Sequence, residues 1–465
     1  MTNFETDYLV VGAGASSMSF VDSMLISSDA TFTIVDRRMA PGGHWIDAYP
    51  FVRLHQPSAF YGVPSRELGL GQIETDGFNK GLYELATGPE VAAYFSAVMR
   101  ETFLPSGRVR YFPMSEYQGD GRFANLLSGE SFDVEIRKKL VDGTILQTEI
   151  PLTHRPNFQV APEVAITPPN HLPRIAPGHG HYAVLGGGKT AIDAILWLLE
   201  NGVAPDSVSW VLPRDSWFLN RAKIQPGMAF FEATIGGTAN QFEICATAKT
   251  VEELCLRMEA QKIWLRLDDT IWPTMFHAAT ITEPELNALQ SLPNKIRQGR
   301  IQEIAPERMV LDGGVVKTGP GTLFVDCTAR ALAHNVMNDT PIFSDGRITL
   351  QMLRAYQPTF SAAMIGRIEA TISSEAEKAA YMLPTPMTDR MEDWLQVYAN
   401  TLKNGGAWGQ NAELQVWASS SRLNAIGRAI AKVNPGDSAK MAIVDRLGEF
   451  SFPAVANLTR LIGQH

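Results

Sequence analysis

The stretch Asp7-Tyr-Leu-Val-Val11, followed at once by Gly12-Ala-Gly14-Ala-Ser-Ser17, decides the fold. A short apolar run with β-branched residues predicts a buried strand, and Met18, Val21 and Leu25 then recur at helical spacing. Phe32-Thr-Ile-Val-Asp36 predicts the next strand. Between strand and helix, the first glycine permits a tight turn and the second lets a pyrophosphate approach the backbone. The helix N-terminus there offers free N–H groups and the positive end of its dipole. Ser17 stands at the third glycine position of the motif and is small enough for close helix–strand packing. Asp36, 22 residues after Gly14, ends the second strand, where a carboxylate can accept hydrogen bonds from ribose hydroxyls. Strand, turn, helix and acid in register predict a dinucleotide site opening a doubly wound sheet.

The pattern restarts 174 residues later, Gly12 to Gly186. His181-Tyr-Ala-Val-Leu185 is a strand, Gly186-Gly-Gly188-Lys-Thr-Ala191 a turn, Ile192 to Glu200 a helix, and Val208-Ser-Trp-Val-Leu212 the following strand. No acid follows; the chain continues Pro213-Arg214-Asp215. Arg214 either pairs with a ribose 2′-phosphate, which favours NADPH, or is simply solvated. Gly188-Lys189-Thr190 is not a phosphate loop, because position 183 is Ala where that motif needs Gly, and the run between reads as strand.

The rest of the chain bounds these readings. Its 465 residues are 45% hydrophobic and 19% charged, ordinary globular composition with material for two or three domains. A net charge of −9 without a long basic run argues against nucleic acid or an anionic membrane. The longest apolar helical stretch, Ala191 to Leu199, contains Asp193 and is far short of the roughly 20 residues of a membrane span. The N-terminus is acidic and polar, unlike a signal peptide. Cys245, Cys255 and Cys327 form no Cys-x-x-Cys and, with nine histidines, show no zinc-ligand spacing, so no metal is expected. They read as free, buried thiols of a reducing cytoplasm. Phe132 to Ile150 reads as strand hairpins around Asp142-Gly143, Pro151 to Pro177 as a linker, and Thr322-Leu-Phe-Val-Asp326 as a buried strand. Residues from about 216 to 298 read as mainly helical and irregular, an insertion and not part of the sheet, Met309 to Val316 as a hairpin and the last hundred residues as mostly helical.

Two dinucleotide sites in one chain point to a tightly held flavin and a nicotinamide that reduces it. The sequence resembles the flavoproteins with two dinucleotide-binding domains, most closely the flavin-containing and Baeyer–Villiger-type monooxygenases. The shared segments are Gly12-Ala-Gly14, Gly42-Gly-His-Trp45, Tyr49-Pro50-Phe-Val-Arg53-Leu-His55-Gln-Pro57 and Gly186-Gly-Gly188. The resemblance implies an α/β fold of two Rossmann-like domains with a helical insertion and a helical C-terminal region. Its expected divisions are an FAD-binding domain over 1–175, an NADPH-binding domain over 176–330, and a return to the FAD domain from 331 to 465. It implies that Gly12, Gly14, Ser17 and Asp36 bind FAD, with Gly43 and Trp45 lining the flavin. Gly186, Gly188, Lys189 and Arg214 would hold NADPH.

Leu323 to Arg330 resembles a degraded family strand, and Ala363-Met-Ile-Gly366 a late strand whose glycine either nears the flavin or is an ordinary packing glycine. His55 falls where the Baeyer–Villiger enzymes carry an Asp and the flavin-containing ones an Asn. It either serves catalysis as a neutral hydrogen-bond donor or a proton donor with a pKa near working pH, or satisfies backbone groups in a turn. Arg53 either stabilises an anion near the flavin or makes a plain ion pair. Trp217, Asn220 and Arg221 either shape the substrate pocket or are core and solvent-facing residues, and Trp264, Trp272 and Phe276 read as packing. The Phe-x-Gly-x-x-x-His linker motif of the family is missing, with only His179 and His181 nearby. The function implied is a single-component monooxygenase that forms a flavin peroxide and oxygenates a small organic substrate with molecular oxygen. A dehydrogenase or reductase of the same fold, or a flavin-binding protein without turnover, are the alternatives.

Overall fold

β1 (Thr2–Val11), α1 (Ala15–Ser27) and β2 (Phe32–Val35) open the chain as the periodicity predicts. The computed structural model describes residues 2–146, 148–329 and 340–464. After α2 (Gly88–Val98), β3 (Val109–Phe112) pairs parallel to β2, and β4 (Ser115–Gly119) and β5 (Arg122–Asn125) form an antiparallel pair. β6 (Ser131–Asp142) runs parallel to β1 on its other flank. The hairpins expected over 132–150 are therefore replaced by one long strand, because β1 offers a parallel partner and the chain does not fold back at Asp142-Gly143. Strand order reverses at β1, so the first glycine turn lies at a topological switch point. One face of this sheet buries Tyr8, Val10, Phe32 and Ile34 with α1; the other buries Leu9 and Val35 against Phe123 and Val134. Strands covered on both faces need continuous apolar runs, which is what the sequence shows.

A second parallel sheet is built around the second turn. In chain order come β7 (Gln159–Val160), β8 (Ile166–Thr167), α3 (Leu172–Ile175), β9 (Tyr182–Leu185), α4 (Lys189–Glu200) and β10 (Val208–Val211). Next follow β11 (Trp217–Asn220), α5 (Gly237–Thr247), α6 (Val251–Ala260), β12 (Trp264–Arg266), β13 (Thr280–Ile281) and α7 (Glu283–Gln290). β14 (Asn294–Ile296), β15 (Ile301–Ala305), β16 (Arg308–Leu311), β17 (Gly314–Lys317) and β18 (Leu323–Asp326) complete this half. The parallel sheet reads β14-β10-β9-β18-β8, and its order reverses at β9. The segment read as a linker thus contributes a strand, and β8 precedes the boundary expected at 175. The insertion is mainly helical and irregular, with α5, α6 and α7, but it is not separate from the sheets: β12-β11-β13 form a sheet of their own, and β14 joins the second parallel sheet. The predicted hairpin is β16–β17. Position 331, the other expected boundary, and Arg330 lie outside the described residues.

The chain then returns to the first sheet. β19 (Phe343–Ser344) pairs with β20 (Arg347–Thr349), and β20 runs parallel to β6. α8 (Pro358–Thr371) packs across α1, where Ser19 Oγ donates to Thr359 O at 2.7 Å and Ser23 Oγ to Ala363 O at 2.8 Å. Gly366 lies in this helix, not in a strand. A Cβ there would stand 2.9 Å from Phe20 O, so Gly366 is a helix-crossing glycine, and the flavin-facing expectation for it is corrected. The helices α9 (Glu375–Ala379), α10 (Met391–Gln410), α11 (Ala412–Ser420), α12 (Ala425–Ala431) and α13 (Ser438–Ile462) follow, and α13 packs along α5 and α10. Among the described residues no helix is long and apolar enough to cross a membrane.

Candidate functional site

The first turn is shaped by backbone approach. Gly12 has φ +92° and donates its N–H to Val35 O at 2.8 Å, which ties the turn to the end of β2. Gly14 caps α1 without help from any side chain, so the N–H groups of its first turn are left for another acceptor. Gly42 donates to Ala13 O at 2.9 Å, and Gly43, at φ +62°, comes so close that a Cβ would lie 2.9 Å from Gly14 Cα. This contact is the physical reason for the glycine pair. Asp36 is buried; its Oδ2 accepts the Ala13 N–H at 2.6 Å and its Oδ1 the Arg38 N–H at 2.7 Å. Ser17 is buried with no partner for its hydroxyl, and Gly143 approaches so closely that only glycine fits there.

From this turn the chain crosses to the second unit. Trp45 Nε1 donates to Tyr61 OH at 2.9 Å, and Tyr49 OH donates to Asp193 Oδ2 of α4 at 2.6 Å. Phe51 stacks on Trp197 of the same helix, with ring centroids 5.2 Å apart. Burial, reinforced by the Asp193 carboxylate, pushes the Tyr49 phenol well above its ordinary range, so it stays a donor. Arg53 turns aside: it pairs with Glu74 and donates from Nε to Leu85 O at 3.2 Å. Of its two readings, the ion pair is the one present.

The second turn repeats the plan with more charge around it. A Cβ on Gly186 would meet Cys327 O at 2.7 Å, and one on Gly187 would meet Arg214 O at 3.1 Å. Gly188 begins α4 with no side-chain cap and nothing within 4 Å of its Cβ position, an open cradle before a helix N-terminus. Lys189 pairs with Asp193 one helical turn on. Arg214 is bound by Asp389, which also meets His277 Nε2 at 2.8 Å. These bonds, the Arg214 pair first, hold the Asp389 carboxyl well below the usual carboxylate range. Asp215 is buried and held by Arg297 at 2.7 and 3.0 Å. Cys327 is buried and its thiol lies well above the usual range, chiefly through burial, so it is no thiolate nucleophile. Among the described residues no cluster of metal-ligating side chains occurs.

His55 is half-buried, with Lys189 and Arg221 of the second unit near its ring. Desolvation first, then the charges of Lys189 and Arg221, push its imidazole well below the ordinary value. That shift favours the neutral ring, which has one N–H to donate. Its backbone carbonyl accepts from Arg221 Nε at 2.9 Å. Arg221 does not contact solvent: it is 1% exposed, pairs with Glu285 at 3.0 Å and donates to Asn79 Oδ1 and Thr280 O. Trp217, Trp264 and Phe276 are buried together with Trp394 and are core, while Trp272 is half exposed. Asn220 is buried, caps the turn after β11 and donates from Nδ2 to Lys262 O at 2.9 Å.

The structure thus brings Gly12, Gly14, Ser17, Asp36 and Gly43 together, with Trp45 beside them, and assembles Gly186, Gly188, Lys189 and Arg214 around the second turn. Tyr49, Asp193, Glu285 and Asp389 were missed as site residues. Asp193 carried a signal in its i,i+4 spacing from Lys189 and Tyr49 in the segment shared with the family; Glu285 and Asp389 meet Arg221 and Arg214 through tertiary contacts.

Two parallel sheets, each with a glycine turn at its switch point, define the fold of the flavin-containing and Baeyer–Villiger-type monooxygenases. A similar solved structure is the polycyclic ketone monooxygenase of the thermophilic fungus Thermothelomyces thermophila, with TM-score 0.52 and 12% identity, covering 98% of this chain and 89% of that one. Another is steroid monooxygenase bound to NADP, with TM-score 0.50 and 12% identity, covering 79% of this chain and 85% of that one. The chain belongs to the family of the uncharacterized proteins Mb2023 of Mycobacterium bovis and Rv2000 of Mycobacterium tuberculosis. Each is 43% identical over 423 residues, which are 90% of this chain and 78% of theirs. No family model matches the sequence.

Proposed function

We propose that the protein is an FAD- and NADPH-dependent monooxygenase that acts on a small organic substrate in the cytoplasm. The observation that carries this reading is the pair of uncapped helix N-termini behind glycine turns, linked by the Tyr49–Asp193 hydrogen bond. The turns fit dinucleotides: Gly12, Gly14 and Gly43 leave backbone where side chains would intrude, and Gly188 faces open space. In this reading Gly12, Gly14, Ser17, Asp36, Gly43 and Trp45 hold FAD, and Gly186, Gly188, Lys189 and Arg214 hold NADPH. When bound, the two groups supply hydride transfer and oxygen activation. The chain's own residues do the positioning. Tyr49 and Asp193 tie the two units together, Arg221 holds the backbone at His55, and the His55 ring would have one N–H to donate toward the bound groups. Three buried free thiols support the reducing, cytoplasmic setting.

One observation favours a reductase that does not use oxygen. His181 is exposed, and His179 hydrogen-bonds the Gly321 carbonyl at 2.9 Å, so neither stands in for the missing linker histidine. Rapid-mixing absorbance separates the two readings. The purified yellow protein is reduced with NADPH under argon and then mixed with oxygenated buffer. Reoxidation within the time of turnover supports the monooxygenase; a reduced protein that persists in oxygen overturns it in favour of the reductase. Colourless protein that takes up no FAD overturns both.

A further inference from the structure

Arg214 follows β10 with its carbonyl against Gly187, and its guanidinium is gripped from the far end of the chain. Nη1 donates to Asp389 Oδ2 at 3.1 Å and Nη2 to Oδ1 at 2.5 Å, across 175 residues of sequence. Asp389 is not a loose surface acid. Its carbonyl accepts the Phe276 N–H at 2.8 Å, Thr388 Oγ1 donates to Phe276 O at 2.5 Å, and its own N–H is accepted by Asp393 at 3.1 Å. The carboxylate is thereby aimed at Arg214 and His277. The planar fork that binds a carboxylate through two parallel bonds binds a phosphate in the same way. Asp389 occupies the Nη1/Nη2 edge of the guanidinium, so a phosphate that docks on that edge must displace the carboxylate. The nearby Arg297 is no free substitute, because it is spent on Asp215, with Asp268 at 3.4 Å.

We propose that Asp389 is a specificity-determining residue: it competes with the nucleotide 2′-phosphate for Arg214 and so lowers the preference for the 2′-phosphorylated cofactor that Arg214 alone would give. The inference rests on the reading of the second glycine turn as the nicotinamide nucleotide site. The phosphate must displace a seated carboxylate, whereas a nucleotide with a free 2′-hydroxyl leaves the pair intact. The selectivity of this site is then set partly by the loop before α10, outside the Rossmann-like unit that holds the nucleotide.

Calorimetric titration of the full-length protein with adenosine 2′,5′-bisphosphate and with AMP tests this without turnover. Asp389→Asn should tighten the bisphosphate about tenfold, the size of one released charge-assisted pair, and leave AMP unchanged. Arg214→Ala should remove the difference between the two probes, and adding Asp389→Asn to it should then do nothing, as a double-mutant cycle requires. Should Asp389→Asn lose AMP binding through misfolding, Asp389→Ser is the second variant, judged by the same ratio. An unchanged ratio of bisphosphate to AMP affinity in a variant that still binds AMP overturns the role of Asp389. Failure of the wild-type protein to bind either probe overturns the nucleotide-site reading itself, and the inference with it.

Discussion

Around Gly12–Gly14 the turn is held by backbone and shape: Gly43 against Gly14, Gly143 against Ser17, and the Asp36 carboxylate on two N–H groups. Around Gly186–Gly188 the same backbone plan is ringed by paired charges, Lys189 with Asp193, Arg214 with Asp389 and Arg297 with Asp215. Contacts of the first kind are made once, on folding, and close packing leaves them no alternative partner. Of these, the Arg214–Asp389 pair is partly exposed at both ends, is worth about 0–1 kcal/mol and can be exchanged for an anionic ligand. That difference matches the proposed division between a resident flavin and a nicotinamide that comes and goes.

The largest expected effect sharpens the charged side of the comparison. Arg221 is the one fully buried cation named at the site, and its pair with Glu285 cannot be given up cheaply. Arg221→Met should cost about 3–5 kcal/mol in denaturant unfolding, because a buried carboxylate is left uncompensated. Adding Glu285→Gln, which keeps the cap on α7 and removes the charge, should restore much of the loss. If Arg221→Met unfolds like wild type, the pair is not the buried anchor its 1% exposure indicates.

His55 comes next. As a neutral donor it should contribute about 10²-fold to oxygen transfer, the size of one preorganised hydrogen bond. His55→Ala should leave NADPH-driven flavin reduction unchanged while more of the NADPH consumed ends as hydrogen peroxide. Equal peroxide yields in the two proteins would reduce His55 to a turn residue.

The packed side is broken by Gly143→Ala. Its methyl group would fall on Ser17 Oγ and lie 3.2 Å from Val11 O, an overpacking worth about 1–3 kcal/mol. Ser17→Ala alone should be near neutral, since the hydroxyl is buried without a partner, and it should recover part of the loss in the double variant. No recovery would mean that Val11 O of β1, not the Ser17 hydroxyl, sets the clearance.

The smallest effect is a pH dependence. Burial pushes His44 down to about 4, and His55 also lies well below its ordinary value. Between about 4 and 6.5 the unfolded chain binds protons that the folded chain does not, so stability rises with pH across that window and is lost as pH falls through it. The melting temperature should therefore be lower at pH 5 than at pH 7 by a few degrees. His44→Asn and His55→Asn should each flatten the slope; an unchanged slope in both would show that other groups set it.

Much of the architecture was legible because local chemistry and tertiary placement agree there. Val11-Gly12 and Leu185-Gly186 end central strands whose apolar runs have no wet face, and the helices that follow start without side-chain caps. Legibility failed where a short apolar run fits two periods. Ala363 to Gly366 is small and apolar enough for strand or helix, and only the crossing against Phe20 of α1 makes it a helix with glycine at the contact. Phe132 to Asp142 failed differently: its alternation is that of a strand, but its partner is β1, more than a hundred residues earlier, and not a hairpin arm.

The sequence by itself determined the two strand–turn–helix units, the acid after the first and the absence of an acid after the second. Those features depend on φ, side-chain size and hydrophobic period, all properties of neighbouring residues. The tertiary structure alone decided that Arg53 is spent on Glu74, that burial beside Lys189 and Arg221 pushes the His55 imidazole down, that Arg221 is buried and that Arg214 is held by Asp389. Each of those outcomes depends on which charge stands beside which after the chain has folded, and on how much water is left between them. Interactions of that kind are set by distance and burial, and neither can be read from spacing along a chain.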